Sequence, residues 1–144
     1  MRSNPWDNLI EDRRVLCENC ALARNGLIVF NCDHLDIMTD REDFDNFDLA
    51  YVTFYFYNDI DYENYVAPYY TNENLLLPTR ERAIIDYARN ETWCDEGILI
   101  EALKNYLFQY RDDLSVLFEV AKFYNYSEDK LRYWLEEAEV DEEI

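Results

Sequence analysis

The sequence predicts an α+β protein: a small N-terminal β-sheet region followed by a C-terminal bundle of about four helices. Three observations predict it. Before residue 78 the apolar residues come in short β-branched and aromatic runs. After it they recur at helical spacing, each stretch opened by a capping residue. Gly and Pro number only two and three, so loops should be short and regular structure abundant. The chain reads as one domain over 1–144, with a strand-rich subregion at 1–77 and a helical one at 78–140.

Taken in order, Asp7 to Leu16 reads as a short helix with Leu9, Ile10 and Val15 inward. Gly26 to Phe30 reads as a buried strand announced by the Asn25-Gly26 turn signal. Leu49 to Tyr57 (LAYVTFYFY) is the clearest strand, with no breaker inside it. Val66 and the Tyr69-Tyr70 pair, interrupted by Pro68, suggest an edge strand or extended loop. Leu75-Leu76-Leu77 is a short apolar run closed by Pro78. Thr79 then caps a helix whose face is Ala83, Ile84, Tyr87 and Ala88. Asp95 caps a second, facing inward through Leu99 or Ile98, Ala102, Leu103, Tyr106 and Leu107. Asp112 or Asp113 caps a third, with Leu114, Leu117, Phe118, Ala121 and Tyr124 inward. Ser127 caps a fourth, with Glu128 and Asp129 in its first turn and Leu131, Trp134, Leu135 and Ala138 inward. Fraying is expected from Val140 to Ile144.

Charge is the dominant compositional fact. Thirty-two acidic residues face thirteen basic ones, for a formal net charge of -19. Such an excess repels itself and destabilises a compact chain, so it needs a role: solubility, or a strongly basic partner. Disorder does not explain it, because hydrophobic residues make up 49% of the chain and aromatics 17%. The bases are ten Arg and only three Lys, and Arg is the residue that ties carboxylates down in pairs. Several arginines are therefore expected inside, leaving surplus carboxylates outward. No stretch is apolar enough to span a membrane, Met1 to Asp7 holds no secretory signal, and a cytoplasmic protein is expected.

Motifs for chemistry are weak. Two glycines exclude a phosphate loop or dinucleotide fingerprint. Cys17-x-x-Cys20 followed by Cys32-x-His34 offers four soft ligands that could hold zinc. The spacing matches no familiar zinc module, and small buried thiols in a reducing cytosol are the preferred reading, with no cofactor expected. His34 is the sole histidine, and nothing supplies it with an orienting partner, so no enzyme is expected. Asp59, Asp61 and Glu63 alternate and could share a face toward a hard cation. With so many acids, a solvated face is preferred.

Two segments mix acids with aromatics: Asp36, Asp40, Glu42, Asp43, Asp45 and Asp48 around Phe44 and Phe47, then Asp59, Asp61 and Glu63 among Tyr62, Tyr65, Tyr69 and Tyr70. Carboxylates two residues apart on an extended chain lie roughly 6–7 Å apart, within reach of the Arg and Lys side chains of a nucleic-acid groove. Tyrosine adds contact area and a hydrogen bond at interfaces. These segments are the expected interaction surface, for a basic nucleic-acid-binding protein, with no direct binding of nucleic acid.

The string Leu76-Leu77-Pro78-Thr79-Arg80-Glu81-Arg82-Ala83-Ile84-Ile85-Asp86-Tyr87, with Asp95-Glu96-Gly97-Ile98-Leu99-Ile100-Glu101-Ala102-Leu103 after it, resembles the C-terminal part of the abortive-infection antitoxins of the AbiEi type, from Leu75 to about Leu135. The resemblance implies that the "ERA" segment opens a helix after a strand and that strands at Leu49–Tyr57 and Val66–Tyr70 belong to the family's sheet. The family's N-terminal DNA-binding winged helix is not expected within this sequence, in which no basic recognition helix is visible. The overall acidity also resembles anti-CRISPR and other DNA-mimicking inhibitors. The expectation is therefore an acidic inhibitor that blocks DNA or RNA access to a basic surface, a CRISPR effector being the concrete case. The alternative is an antitoxin-like module that neutralises a nucleotidyltransferase-type toxin.

Overall fold

The computed structural model describes residues 15–29, 35–39, 48–49, 52–57, 60–68 and 76–143. The α+β class is as expected. Strands β1 (Val15–Leu16), β2 (Leu35–Thr39), β3 (Asp48–Leu49), β4 (Val52–Phe56), β5 (Val66–Pro68) and β6 (Leu76–Pro78) form one mixed sheet in the order β3-β4-β2-β1-β6-β5. β2 runs parallel to β4 and antiparallel to β1, and β1 runs parallel to β6. β3 and β5 pair antiparallel with their neighbours at the two edges. Pro68 thus ends an edge strand, the place in a sheet where proline is tolerated.

Two sequence expectations fail at the N-terminal side. Val15 and Leu16 are strand rather than helix, both fully buried between β2 and β6. A central strand is covered on both faces, so it shows a continuous apolar pair and no alternation. Asp7 to Arg14 lie outside the described residues. Where the strand at Gly26–Phe30 is expected to begin, Gly26 and Leu27 instead form the C-terminal cap of helix α1 (Glu18–Arg24). Gly26, at φ +75°, donates its N–H to the Ala23 carbonyl, and Leu27 donates to that of Leu22. This bond pair is a Schellman motif, and Leu22 and Leu27 supply its buried hydrophobic contact. Ile28 is buried after it, Val29 is exposed, and Phe30 lies outside the described residues. The expected strand Leu49–Tyr57 divides: Leu49 belongs to β3 and faces Val52 of β4.

The four expected helices are present: α2 (Arg80–Arg89), α3 (Glu96–Tyr110), α4 (Leu114–Phe123) and α5 (Glu128–Glu143). Thr79 Oγ1 accepts from the Arg82 N–H at 3.3 Å, Asp95 Oδ1 from Ile98 at 3.2 Å and Ser127 Oγ from Lys130 at 3.2 Å. Asp113 is the exception. It precedes α4 through a 3₁₀ turn (Arg111–Asp113), but its side chain bonds the Arg80 guanidinium at 3.3 Å and caps nothing. α5 continues to Glu143, past the expected fraying, in keeping with the high helix propensity of its glutamates.

One core joins the halves. Leu16, Leu22 and Leu27 pack with Ile37 and Phe54 of the sheet, and with Leu99, Leu103, Leu117, Leu131 and Leu135 of the helices. α2 lies at its centre and is buried without interruption from Glu81 to Tyr87, charged residues included. No helix among the described residues is long and apolar enough to cross a membrane.

Candidate functional site

Among the described residues, one acid of the expected surface, Asp36, is turned inward. Asp36 lies on β2 and is buried, with Oδ1 accepting from the Tyr55 hydroxyl at 3.2 Å and Oδ2 from the Cys20 N–H at 3.4 Å. It cannot face a partner, because β2 is enclosed by β4, β1 and α1. Asp61 is a turn-former. It accepts from the backbone N–H groups of Glu63 and Asn64 at 2.9 and 3.1 Å, the Asn64 amide at 3.0 Å and the Tyr124 hydroxyl at 2.9 Å. Partial burial alone would raise its pKa, but these donors outweigh burial and hold it at about 2. Tyr62 is half-buried against a second, smaller cluster around Val15, Cys17, Met38 and Leu76. Tyr65 packs edge-on against Phe123, with ring centroids 5.4 Å apart, and its hydroxyl donates to Glu119. Glu63 is exposed. Asp48 sits on edge strand β3. Asp40, Glu42, Asp43, Asp45, Asp59 and Tyr69 lie outside the described residues, as do Cys32 and His34.

A buried polar network occupies the place where β1 turns into α1. Glu18 adopts φ +50°, a left-handed conformation that strains a non-glycine residue. Its Oε1 accepts from the Asn90 amide at 3.1 Å and the Tyr57 hydroxyl at 3.4 Å. Burial, then the Asp36 carboxylate, pushes its pKa up to about 8, against the opposing Tyr57 hydrogen bond. Next to it, burial and the Glu18, Asp36 and Asp86 carboxyls push the Cys17 thiol well up. Cys17 and Cys20 are buried, and no group of three or more metal-ligating side chains occurs among the described residues. Asp86 receives Arg82 Nε and Arg89 Nη2, each at 3.0 Å, while Arg82 Nη1 donates to the Asn64 carbonyl at 2.8 Å. A cavity of about 400 Å³ opens beside this network, with Tyr57, Arg82, Asp86 and Asn90 on its wall. The geometry suits a structural tie between sheet and helix, since these donors and acceptors are engaged with one another.

Among the described residues, most outward carboxylates lie on the helices and the turn between α2 and α3. Glu91, Glu96, Glu119, Glu128, Asp129, Glu136, Glu137 and Glu139 are all exposed. Arg80, Arg82 and Arg89 are drawn to Glu81, Asp113 and Asp86, as the Arg-over-Lys bias anticipates. On α5, Arg132 reaches back to Glu128 at 3.0 Å, and Glu139 meets Arg111 at 3.0 Å. Asp129, Tyr133, Glu136 and Glu137 follow one another along the exposed side of that helix. Seven residues at about 1.5 Å rise place the two ends of Asp129–Glu136 roughly 10 Å apart. The acidic tail after Ser127 carries this signal in the sequence. Glu91 and Glu96 are brought beside it only by the packing of α3 on α5. Compared with the models of known protein families and with curated proteins, the chain matches none.

Proposed function

We propose that this protein is a non-catalytic acidic inhibitor that docks on a basic nucleic-acid-binding surface and excludes DNA or RNA from it. Its setting is the cytoplasm of a bacterial host, and its type is anti-CRISPR or other phage counter-defence. The observation that carries the reading is the division of charge: Arg80, Arg82 and Arg89 are spent on Glu81, Asp113 and Asp86, while Asp129, Glu136 and Glu137 of α5 and Glu91 of the α2–α3 turn face water. Carboxylates so placed stand in for phosphates toward the Arg and Lys of a nucleic-acid groove. Association is then electrostatically steered and slows as salt rises. The test is capture from bacterial lysate on immobilised protein, with and without excess duplex DNA. Nucleic-acid-binding proteins released by the duplex support the reading; capture indifferent to DNA refutes it.

A second reading is an antitoxin-like module that neutralises a nucleotidyltransferase-type toxin. What favours it is local order: α2 opens directly after β6, and α3 opens at Asp95, as the antitoxin-like string implies. Co-expression with such a toxin separates the two, since rescue of growth without a nucleic-acid-binding target supports only this one.

A further inference from the structure

Between the turn joining α2 to α3 and the outer side of α5 lies a groove of about 460 Å³. Its walls are Ala88, Cys94, Tyr126, Tyr133 and Trp134. Trp134 spends its indole N–H on the Tyr126 hydroxyl at 3.1 Å. Tyr133 packs edge-on to it, with centroids 5.1 Å apart, and is 54% exposed. Glu91, Glu96 and Asp129 also line the groove and are exposed; Lys130 is the sole base among its lining residues. Three carboxylates and one ammonium leave a surplus of two negative charges over an aromatic surface.

We propose that this groove receives an arginine side chain from a basic segment of the partner. The aliphatic stem would lie on the aromatic walls, and the guanidinium would meet the carboxylates. Arginine suits the site better than lysine because its planar head both stacks on aromatic faces and pairs with two carboxylate oxygens. The chain supplies its own precedent: Lys130 Nζ stands 3.8 Å from Glu91, in a pair whose side chains are 63% and 86% exposed. So loose a pair is readily displaced. Burial, then Glu18, Glu96 and Asp95, pushes the Cys94 thiol up to about 11, in line with negative potential at the groove wall. The partner's identity rests on the proposed function, because arginines that hold phosphates are the ones an acidic groove would capture.

The probe is an acetylated tetra-arginine amide, titrated into ¹⁵N-labelled full-length protein and read at the Trp134 indole resonance. Saturable binding that shifts this resonance is expected. E96Q/D129N should weaken it roughly tenfold and Y133A about threefold, with the folded spectrum retained. Lys130→Gln should tighten it. Asp112→Asn neutralises an exposed acid in the 3₁₀ turn just past α3, roughly 24 Å from Glu96 at about 1.5 Å per residue, and should leave it within about twofold. An unmoved Trp134 resonance, equal weakening by Asp112→Asn, or equal binding of tetra-lysine overturns the proposal. Duplex-sensitive lysate capture that survives E96Q/D129N undiminished sinks the groove and leaves the inhibitor reading standing. Groove-specific peptide binding without duplex-sensitive capture does the reverse.

Discussion

Glu18→Gln tests the buried network through its dependence on pH. In the folded protein Glu18 titrates at about 8 against an ordinary 4.5, because it is buried and faces Asp36 and Asp86. Its folded pKa therefore lies above its unfolded one. The stability linked to its proton is complete below pH 4.5 and is lost as pH rises to 8. At about 1.4 kcal/mol per pH unit the gap amounts to roughly 5 kcal/mol, and about 3 after allowance for water reaching the site. Gln imitates the protonated carboxyl, and its Oε1 can still accept from Asn90 and Tyr57. Urea unfolding of both proteins at pH 5, 6.5 and 8 isolates the effect, because every other titrating group is common to the two. The variant should match the parent near pH 5 and exceed it by about 3 kcal/mol or more at pH 8. A difference that stays flat across this window refutes the assignment of a neutral, buried Glu18.

Three other substitutions follow from local geometry. Gly26→Ala should destabilise by about 1 kcal/mol in urea unfolding, from conformation alone, since φ is +75° and a Cβ there meets nothing within 4 Å. Asn125 holds the same position at the end of α4, at φ +59°, with its own N–H and that of Tyr126 bonded to Lys122 and Ala121. Asn125→Gly should therefore stabilise by a few tenths to about 1 kcal/mol in the same assay. Arg82→Met removes a 1%-exposed guanidinium and leaves Asp86 with Arg89 alone. A loss of about 3 kcal/mol in thermal or urea unfolding is expected.

The helices were legible because each carries its own signals. Thr79, Asp95 and Ser127 cap through local bonds, and the inward faces of α3 and α5 repeat at 3.6 residues. The sheet was less legible, since pairings such as Val15 with Leu76 are set by the assembled core and leave no local pattern. Asn25-Gly26 carries one signal with two meanings: a hairpin turn and a helix end both need a residue at positive φ. Asp36 reads as one more surface acid until β4 and α1 close over it, and only then do Tyr55 and Cys20 become its partners. The groove walls come from residues 88–96 and 126–134, so charge counting along the chain detects the acids of α5 and not the cavity they rim.

The central claim is that outward carboxylates compete with nucleic acid for a basic surface. Its most direct measurement is quantitative mass spectrometry of duplex-displaceable lysate proteins captured by the parent and by Asp129→Asn/Glu136→Gln/Glu137→Gln. The account predicts nucleic-acid-binding proteins held by the parent, released by duplex DNA, and several-fold depleted on the variant at physiological salt. Equal capture by both, unaffected by duplex, would contradict it.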